Sequence, residues 1–345
     1  MKETQTSVRI PSFIFMVVTL GLLIAPCGTR SVSAQVPKVR VAYSTLGAID
    51  LPVWMAREAG LDRKYGVDAD LVFLRGGTTT IQALLSKSVE FVILSGTSLA
   101  LANLSGADLV IVGTYSNRLN FKLIARPEIA TPRNLAGKKI GVQSFTGASI
   151  FAARVGLNKL GVNPRDVQFL AMGDNQGILS GMESKALMAG SISDPQGLLA
   201  QKLGFRVLHD FLKSDLPFTN ISVISSREYA SSNEEIVTRY LKAQMEAIRY
   251  LLSYPEKAKS VIAKYARIRD PEVVDYTLRL FSSSYVPSLM TDPEGMKTVY
   301  EGLADQKPEA RNLDSRAYIY DSILRKIHQS GFVKDLDRLY PATRQ

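Results

Sequence analysis

Short β-rich segments alternate with helical segments from Lys38 onwards, and this alternation constrains the fold more than any other feature of the sequence. Lys38 to Tyr43 (KVRVAY) has the composition of a strand. A helix is predicted to follow this strand, and Asp50 can cap its N-terminus. Ala69 to Leu74 is the next predicted strand, and Thr78 to Ser86 is the next helix. Strand, helix and strand at this spacing are typical of right-handed crossovers in a largely parallel sheet.

A second α/β unit begins after Thr131-Pro132, where the composition of the chain changes. Lys139 to Val142 is a predicted strand, and Gly147 to Leu160 is a predicted helix. After Ser225 the sequence changes character again, because the remaining segments have the spacing of long amphipathic helices. These predicted helices are Asn233 to Tyr254, Pro255 to Tyr265, Pro271 to Ser284 and Tyr318 to Gln329.

Two α/β units followed by a helical tail predict two lobes, one of which is discontinuous. We expect the chain to cross between the lobes at Phe121 to Arg126 and again at Asn220 to Ser225. The first lobe is then expected to comprise residues 35–124 and 223–345, and the second lobe residues 125–222. The predicted fold class is α/β, with two parallel-rich sheets, two crossover strands and a helical C-terminal segment.

The N-terminus has the three parts of a secretory signal peptide. Lys2 and Arg9 make its start positive, Phe13 to Ala25 is a short apolar segment, and Val32-Ser33-Ala34 has small residues where cleavage requires them. The apolar segment is shorter than the roughly 20 residues that a transmembrane helix needs. We therefore predict a signal peptide over residues 1–34, cleavage after Ala34, and export to the periplasm.

The one cysteine of the chain, Cys27, offers an alternative to that cleavage. It lies where a lipoprotein signal carries its acylated residue, but Pro26 replaces the small residue that lipoprotein processing requires, so cleavage after Ala34 is preferred. The mature chain then contains no cysteine. This excludes a disulfide framework, a thiolate nucleophile and a cysteine metal site.

Charge and motif content argue against nucleic-acid binding and against catalysis. The formal net charge is +10, but the basic residues are scattered among acidic ones and form no DNA-binding arm. The sequence has no phosphate loop, no GxGxxG and no HExxH, and its two histidines, His209 and His328, are isolated. We expect no metal, no cofactor, no nucleic-acid partner and no enzymatic activity.

Four segments of the chain are informative in combination, although no single one is specific. The segments are LPVWMAREAGLDRKYGVDADLVFLRGGTTTIQALL, FVILSGTSLALANLSGADLVIVG, IARPEIATPRNLAGKKIGVQSFTGAS and YLLSYPEKAKSVIAKYARIRDPEVV. With them the chain resembles the nitrate/sulfonate/taurine-type solute-binding proteins, which include binders of thiamine-pyrimidine precursors, from about Lys38 to Tyr340. Lys87-Ser88 departs from the Gly-Asp pair usual in the family, at a predicted surface turn. The resemblance implies the type II periplasmic binding protein fold, a ligand trapped in the cleft, and docking onto the membrane permease of an ABC importer.

The candidate ligand-binding residues lie in loops that follow predicted strands. Ligands of open α/β sheets bind beyond the carboxyl ends of the strands, where free N–H groups at helix N-termini can hold an anion. Asp174 could contact a ligand amine or hydroxyl, and Arg118 could balance an acid group. We rank Ser95-Gly96-Thr97 and Thr146-Gly147-Ala148 highest. The full set of candidates is Ser44, Thr45, Ser95, Gly96, Thr97, Arg118, Thr146, Gly147, Ala148 and Asp174.

The sequence thus predicts a monomeric solute-binding protein with two partners, a small-molecule ligand and a permease. The ligand is expected to be a sulfonate, a carboxylate, nitrate or a pyrimidine-like molecule. Two alternatives remain at this point. One is an exported enzyme of pyrimidine or aromatic metabolism, although the cysteine-rich motif of the related fungal pyrimidine synthase is missing here. The other is a ligand-sensing input for a membrane sensor.

Overall fold

The fold was determined from a computed structural model, which describes Met1 and residues 36–214 and 216–341. The predicted signal peptide, its cleavage site after Ala34 and Cys27 lie outside the described residues. Among the helices that are described, none combines the length and the apolar character needed to cross a bilayer.

The strands form two five-stranded sheets, as the alternating sequence pattern predicts. The strands are β1 (Lys38–Tyr43), β2 (Asp68–Phe73), β3 (Phe91–Leu94), β4 (Leu109–Arg118), β5 (Phe121–Ala125), β6 (Lys139–Val142), β7 (Gln168–Ala171), β8 (Ala189–Ser193), β9 (Arg206–Asp210) and β10 (Pro217–Ser226). The first sheet has the order β2-β1-β3-β10-β4, and the second has the order β7-β6-β8-β5-β9. Within each sheet the first three strands are parallel, and β10 or β5 is antiparallel to both of its neighbours.

Helices connect the strands and then build the C-terminal part of the chain. They are α1 (Leu51–Glu58), α2 (Leu61–Lys64), α3 (Gly77–Leu85), α4 (Gly96–Leu104), α5 (Ala148–Lys159), α6 (Asn175–Glu183), α7 (Gln196–Lys202), α8 (Arg227–Ser232), α9 (Glu234–Ser253), α10 (Pro255–Ala266), α11 (Pro271–Ser282), α12 (Pro293–Leu303), α13 (Ser322–Gln329) and α14 (Phe332–Leu339). The predicted last helix begins later than expected, at Ser322. Sequence reasoning missed α12, although Asp292 caps it before Pro293 and its apolar residues have helical spacing.

The chain passes between the sheets twice, and β5 and β10 are the strands that follow the two passages. Residues 119–120 connect β4 to β5, and residues 211–216 separate β9 from β10. The boundaries expected at residues 124 and 222 fall inside these two strands. Since the backbone N–H and C=O groups of a strand pair within one sheet, the structure places all of β5 in the second sheet and all of β10 in the first.

An apolar cluster packs the two sheets together beside these passages. Phe151 of α5 contacts Phe218 of β10, with ring centroids 4.6 Å apart. Both rings are buried together with Leu99 of α4 and Met296 of α12. The N-terminal part of α5 is therefore held near the first sheet, which brings the loop before it close to the loops of the first lobe.

Candidate functional site

A polar cavity lies between the two sheets, at the carboxyl ends of their parallel strands. It encloses about 490 Å³ of empty space, part of which is open to solvent. The lining residues are Ser44, Thr45, Ile49, Gly76, Gly77, Leu94, Ser95, Ser98, Asn120, Phe121, Gln143, Ser144, Gly147, Ala148, Gly173, Ser193, Asn220 and Ile221, and all of them are uncharged.

Three helices begin at the wall of this cavity. Gly77 is the first residue of α3, Ser95 caps α4, and Gly147 immediately precedes α5. These helices have nine, nine and twelve residues, so each has a dipole with its positive end at the cavity. Free backbone N–H groups and positive dipole ends favour a negatively charged group at this place.

The side of the cavity formed by the second lobe carries a chain of hydrogen bonds. Gln143 Nε2 donates to Asn175 Oδ1 at 2.9 Å, and Asn175 Nδ2 donates to Ser193 Oγ at 2.7 Å. Because Ser193 Oγ accepts this bond, its hydroxyl proton is available for a bond into the cavity that Ser193 lines. Gln143 was not among the predicted residues, because it stands one position before the loop that was singled out.

Two asparagines form the floor of the cavity, and sequence reasoning missed both. Asn120 lies in the passage between β4 and β5, and Asn220 lies on β10, the strand that follows the second passage. Asn220 Nδ2 donates to the carbonyl oxygen of Arg118 at 2.9 Å and to Asn120 Oδ1 at 2.5 Å. Asn220 is the first residue of the expected crossing segment Asn220 to Ser225, whereas Asn120 lies one position before the other segment, Phe121 to Arg126.

Five of the predicted residues line the cavity: Ser44, Thr45, Ser95, Gly147 and Ala148. The hydroxyl of Thr45 donates to Asp50 Oδ2 at 2.6 Å. Burial raises the pKa of Asp50 to about 7, against the hydrogen bond from Thr45 that lowers it. Asp50 was expected to cap the helix after it, but its side chain makes no cap hydrogen bond. It supports a wall residue of the cavity instead.

The other predicted residues lie outside the lining. Gly96 and Thr97 are buried in the first turn of α4, where Gly96 packs against Met296. Arg118 donates through Nη2 to the carbonyl oxygen of Leu212 at 3.0 Å, at an exposed position. The side chain of Arg118 is thus engaged outside the cavity that the asparagines close.

Thr146 and Asp174 lie at the mouth of the cavity, where the two lobes meet. The carbonyl oxygen of Thr146 accepts from Ser98 Oγ at 3.2 Å, and its hydroxyl lies 3.3 Å from that of Thr78. Asp174 accepts from the N–H of Gly177 at 2.7 Å as the cap of α6, and pairs with Arg75 at 3.2 Å. These contacts join the first lobe to the second, so the lobes are closed over the cavity.

One pair of oppositely charged side chains lies behind the wall of the cavity. Lys122 and Asp194 form an ion pair in which both side chains are buried, directly beside the lining residues Phe121 and Ser193. Burial raises the pKa of Asp194, although Lys122 opposes this. Asp194 was expected to cap α7, but that helix has no side-chain cap.

The described residues were compared with the arrangement that a metal ion needs, and the two histidines were located in the fold. Across residues 36–214 and 216–341, no group of three or more His, Cys, Asp or Glu side chains is placed to hold a metal ion. His328 contacts the carbonyl oxygen of Ser288 at 3.0 Å, and His209 packs against Phe211. Neither histidine lines the cavity.

Comparisons with known proteins agree with this geometry. The model of the family described as NMT1/THI5 like matches residues 50–258. The "Putative binding protein" of Brucella abortus is 28% identical over 265 residues, which cover 74% of this chain and 78% of the relative.

Two solved structures share the fold. The alkanesulfonate-binding protein SsuA of Xanthomonas axonopodis pv. citri, bound to MOPS, has a TM-score of 0.70 at 20% identity and covers 84% of this chain and 100% of its own. The periplasmic nitrate-binding protein NrtA of Synechocystis has a TM-score of 0.70 at 12% identity and covers 90% of this chain and 93% of its own. At these identities the likeness extends to the two-lobed α/β fold.

Proposed function

The chain belongs to the NMT1/THI5-like family, and from this membership we propose that it is the periplasmic solute-binding protein of an ABC importer. It captures a small polar or anionic organic molecule in the cavity between its lobes and delivers it to a membrane permease. One observation carries the proposal, namely the convergence of three helix N-termini on an uncharged polar cavity. This arrangement is suited to binding a small anion, and binding needs no catalytic group.

The helix N-termini favour an anionic group on the ligand. Each interaction of a negative charge with a helix N-terminus contributes about 0.3–1 kcal/mol, and more where water is excluded. The lining supplies no side-chain cation, so the backbone N–H groups of α3, α4 and α5 and the hydroxyl of Ser193 are the donors for this group. Sulfonate is the anionic group of MOPS, which is bound to the alkanesulfonate-binding protein of the same fold, and a carboxylate offers similar acceptor oxygens.

The contacts at the mouth support capture by closure of two lobes. Ser98, Thr78 and Arg75 belong to the first lobe, and their partners Thr146 and Asp174 belong to the second. We propose that the lobes rotate about the passages at residues 119–120 and 211–216, which connect the two sheets, and that they open to release the ligand. The protein is proposed to act as a monomer after removal of residues 1–34.

A ligand screen on the mature chain, starting at residue 35, tests the proposal. We expect one or more compounds among sulfonates, nitrate, aromatic carboxylates and pyrimidines to raise the melting temperature. At 100 times its dissociation constant a ligand adds about 2.7 kcal/mol to the free energy of unfolding. A chelator should leave binding unchanged. If a compound binds by calorimetry without decreasing the radius of gyration in solution scattering, the closure mechanism is wrong; if none of the classes binds, the function is wrong.

A further inference from the structure

The floor of the cavity contains one donor and one acceptor that have no partner within the described part of the chain. They are Asn120 Nδ2 and Asn220 Oδ1. Asn120 is 3% exposed and Asn220 is 0% exposed, and both residues line the cavity. Buried polar groups in proteins are nearly always hydrogen-bonded, and each one left unpaired costs about 1–3 kcal/mol. Both residues line the cavity, so a ligand there is a candidate partner for these two atoms.

The carbonyl oxygen of Arg118 determines which atom of each amide is free. A carbonyl oxygen can only accept a hydrogen bond, so the atom of Asn220 that lies 2.9 Å from it must be Nδ2. The same Nδ2 donates to Asn120 at 2.5 Å, which makes the accepting atom of Asn120 its Oδ1. The free groups are therefore the Nδ2 of Asn120, a donor, and the Oδ1 of Asn220, an acceptor.

We propose that this asparagine pair binds an amide-type edge of the ligand, with a ligand carbonyl oxygen accepting from Asn120 Nδ2 and a neighbouring ligand N–H donating to Asn220 Oδ1. The inference rests on the proposed function and names the ligand class more closely. Together with an anionic group at the helix N-termini, it describes a small organic anion that also carries a primary amide, a ureide or a lactam. Nitrate and alkyl sulfonates have no N–H to donate, so they leave Asn220 Oδ1 unpaired.

A pair of isosteric probes tests this assignment on the mature wild-type chain. Succinamate carries a carboxylate and a primary amide, and levulinate has the same shape with a methyl group in place of the amide NH₂. By calorimetry we expect succinamate to bind at least tenfold more tightly than levulinate, because levulinate cannot donate to Asn220. Ethanesulfonate and nitrate serve as anions without an amide.

The outcomes separate this inference from the proposed function. Equal affinities for succinamate and levulinate, or binding of ethanesulfonate without binding of succinamate, would overturn the amide site and leave anion capture intact. If none of the four anions binds while a compound of the wider screen does, only the amide site is wrong; if nothing in either set binds, both proposals fail.

The variant Asn120→Asp tests whether the preference for succinamate arises at the floor of the cavity. It replaces the free Nδ2 of Asn120 by an oxygen and keeps the Oδ1 that accepts from Asn220. The variant should lose the preference for succinamate over levulinate, whatever its overall affinity for anions. Asn158→Asp is the matched control, because Asn158 is exposed on α5 and does not line the cavity. If Asn120→Asp still binds succinamate tenfold more tightly than levulinate, a group other than Asn120 recognises the ligand amide.

Discussion

Two buried polar regions differ in whether their hydrogen-bonding groups have partners within the protein. One lies inside the first lobe, and the other lies between the two lobes. In the first, the Glu246 cluster (Lys64, Tyr65, Glu246 and Tyr340), the carboxylate of Glu246 accepts from Lys64 Nζ at 2.6 Å, from the Tyr65 hydroxyl at 2.5 Å and from the Tyr340 hydroxyl at 2.6 Å. In the second, the floor of the cavity, Asn120 Nδ2 and Asn220 Oδ1 have no partner among the residues that the structure describes.

The difference distinguishes a structural site from a binding site. Glu246 is 1% exposed, and burial disfavours its charged form, yet the hydrogen bonds from Lys64, Tyr340 and Tyr65 outweigh that cost and hold its pKa below the usual value. The carboxylate of Glu246 on α9 thus has its hydrogen-bond partners within the protein, at the ends of α2 and α14, and it connects these three helices. The unpaired amide groups of Asn120 and Asn220 can instead form hydrogen bonds with a ligand. The free-energy penalty of leaving them unpaired in the empty protein is then removed on binding, which increases the affinity.

Replacement of Glu246 by leucine should have the largest effect and should act on stability alone. The variant loses the hydrogen bonds that three side chains donate to a buried carboxylate. We expect the free energy of unfolding in urea to fall by about 2–3 kcal/mol at pH 7. Ligand affinity should not change. Glu235→Leu, at an exposed position of the same helix, should cost less than about 1 kcal/mol.

The difference in stability between wild type and Glu246→Leu should decrease as the pH is lowered. Since the pKa of Glu246 is lowered in the folded state, its contribution is complete above the unfolded value of about 4.3 and is lost as the pH falls through the folded value. The stabilities of wild type and Glu246→Leu should therefore converge in acid. A gap that stays constant down to pH 2 would contradict the assigned role of the charge.

Replacement of Gly147 by valine should have the opposite signature, with an effect on binding rather than on folding. Gly147 has a φ of −100° and a ψ of −174°, an extended conformation that any residue can adopt, so the variant should fold normally. A Cβ here would lie 3.3 Å from Ser144 Oγ, another residue of the lining, and the branched side chain would obstruct the start of α5. We expect ethanesulfonate, or a tighter ligand from the screen, to lose more than tenfold in affinity, which is about 1.4 kcal/mol.

Calorimetry of Gly147→Val and of Ala130→Val, a matched change at an exposed position, separates blocking of the cavity from general damage. Full affinity in Gly147→Val would place the ligand elsewhere in the molecule.

Replacement of Arg75 by alanine should have the smallest effect. Arg75 pairs with Asp174 across the mouth at 3.2 Å, but its side chain is 63% exposed, and such pairs contribute about 0.2–1 kcal/mol. We expect about twofold weaker binding at low salt and less difference at high salt. Arg40→Ala, which removes an exposed ion pair inside the first lobe, should leave affinity unchanged. A tenfold loss in Arg75→Ala would mean that Arg75 contacts the ligand itself.

Part of the candidate site could be predicted because it depends on local chain features. Ser95 and Gly147 were recognised as residues that open helices after predicted strands, and the structure places both at the cavity wall. Asp174 was proposed as a ligand contact, but its carboxylate is used as a helix cap and as the partner of Arg75. These partners depend on tertiary contacts that the sequence does not show, and contact of Asp174 with a ligand stays a prediction.

The sequence by itself determined the two-lobed α/β fold and the loops that border the cavity, because strand and helix periodicity and helix-start residues are local properties. Only the tertiary structure decided that Asn120 and Asn220, a hundred positions apart, share a hydrogen bond, and that Thr45 rather than a helix N–H is the partner of Asp50. Such pairings depend on which strands become neighbours and on which face each side chain takes. A single-residue shift of register reverses the face of a strand, so residue type alone does not identify the groups that meet in the cleft.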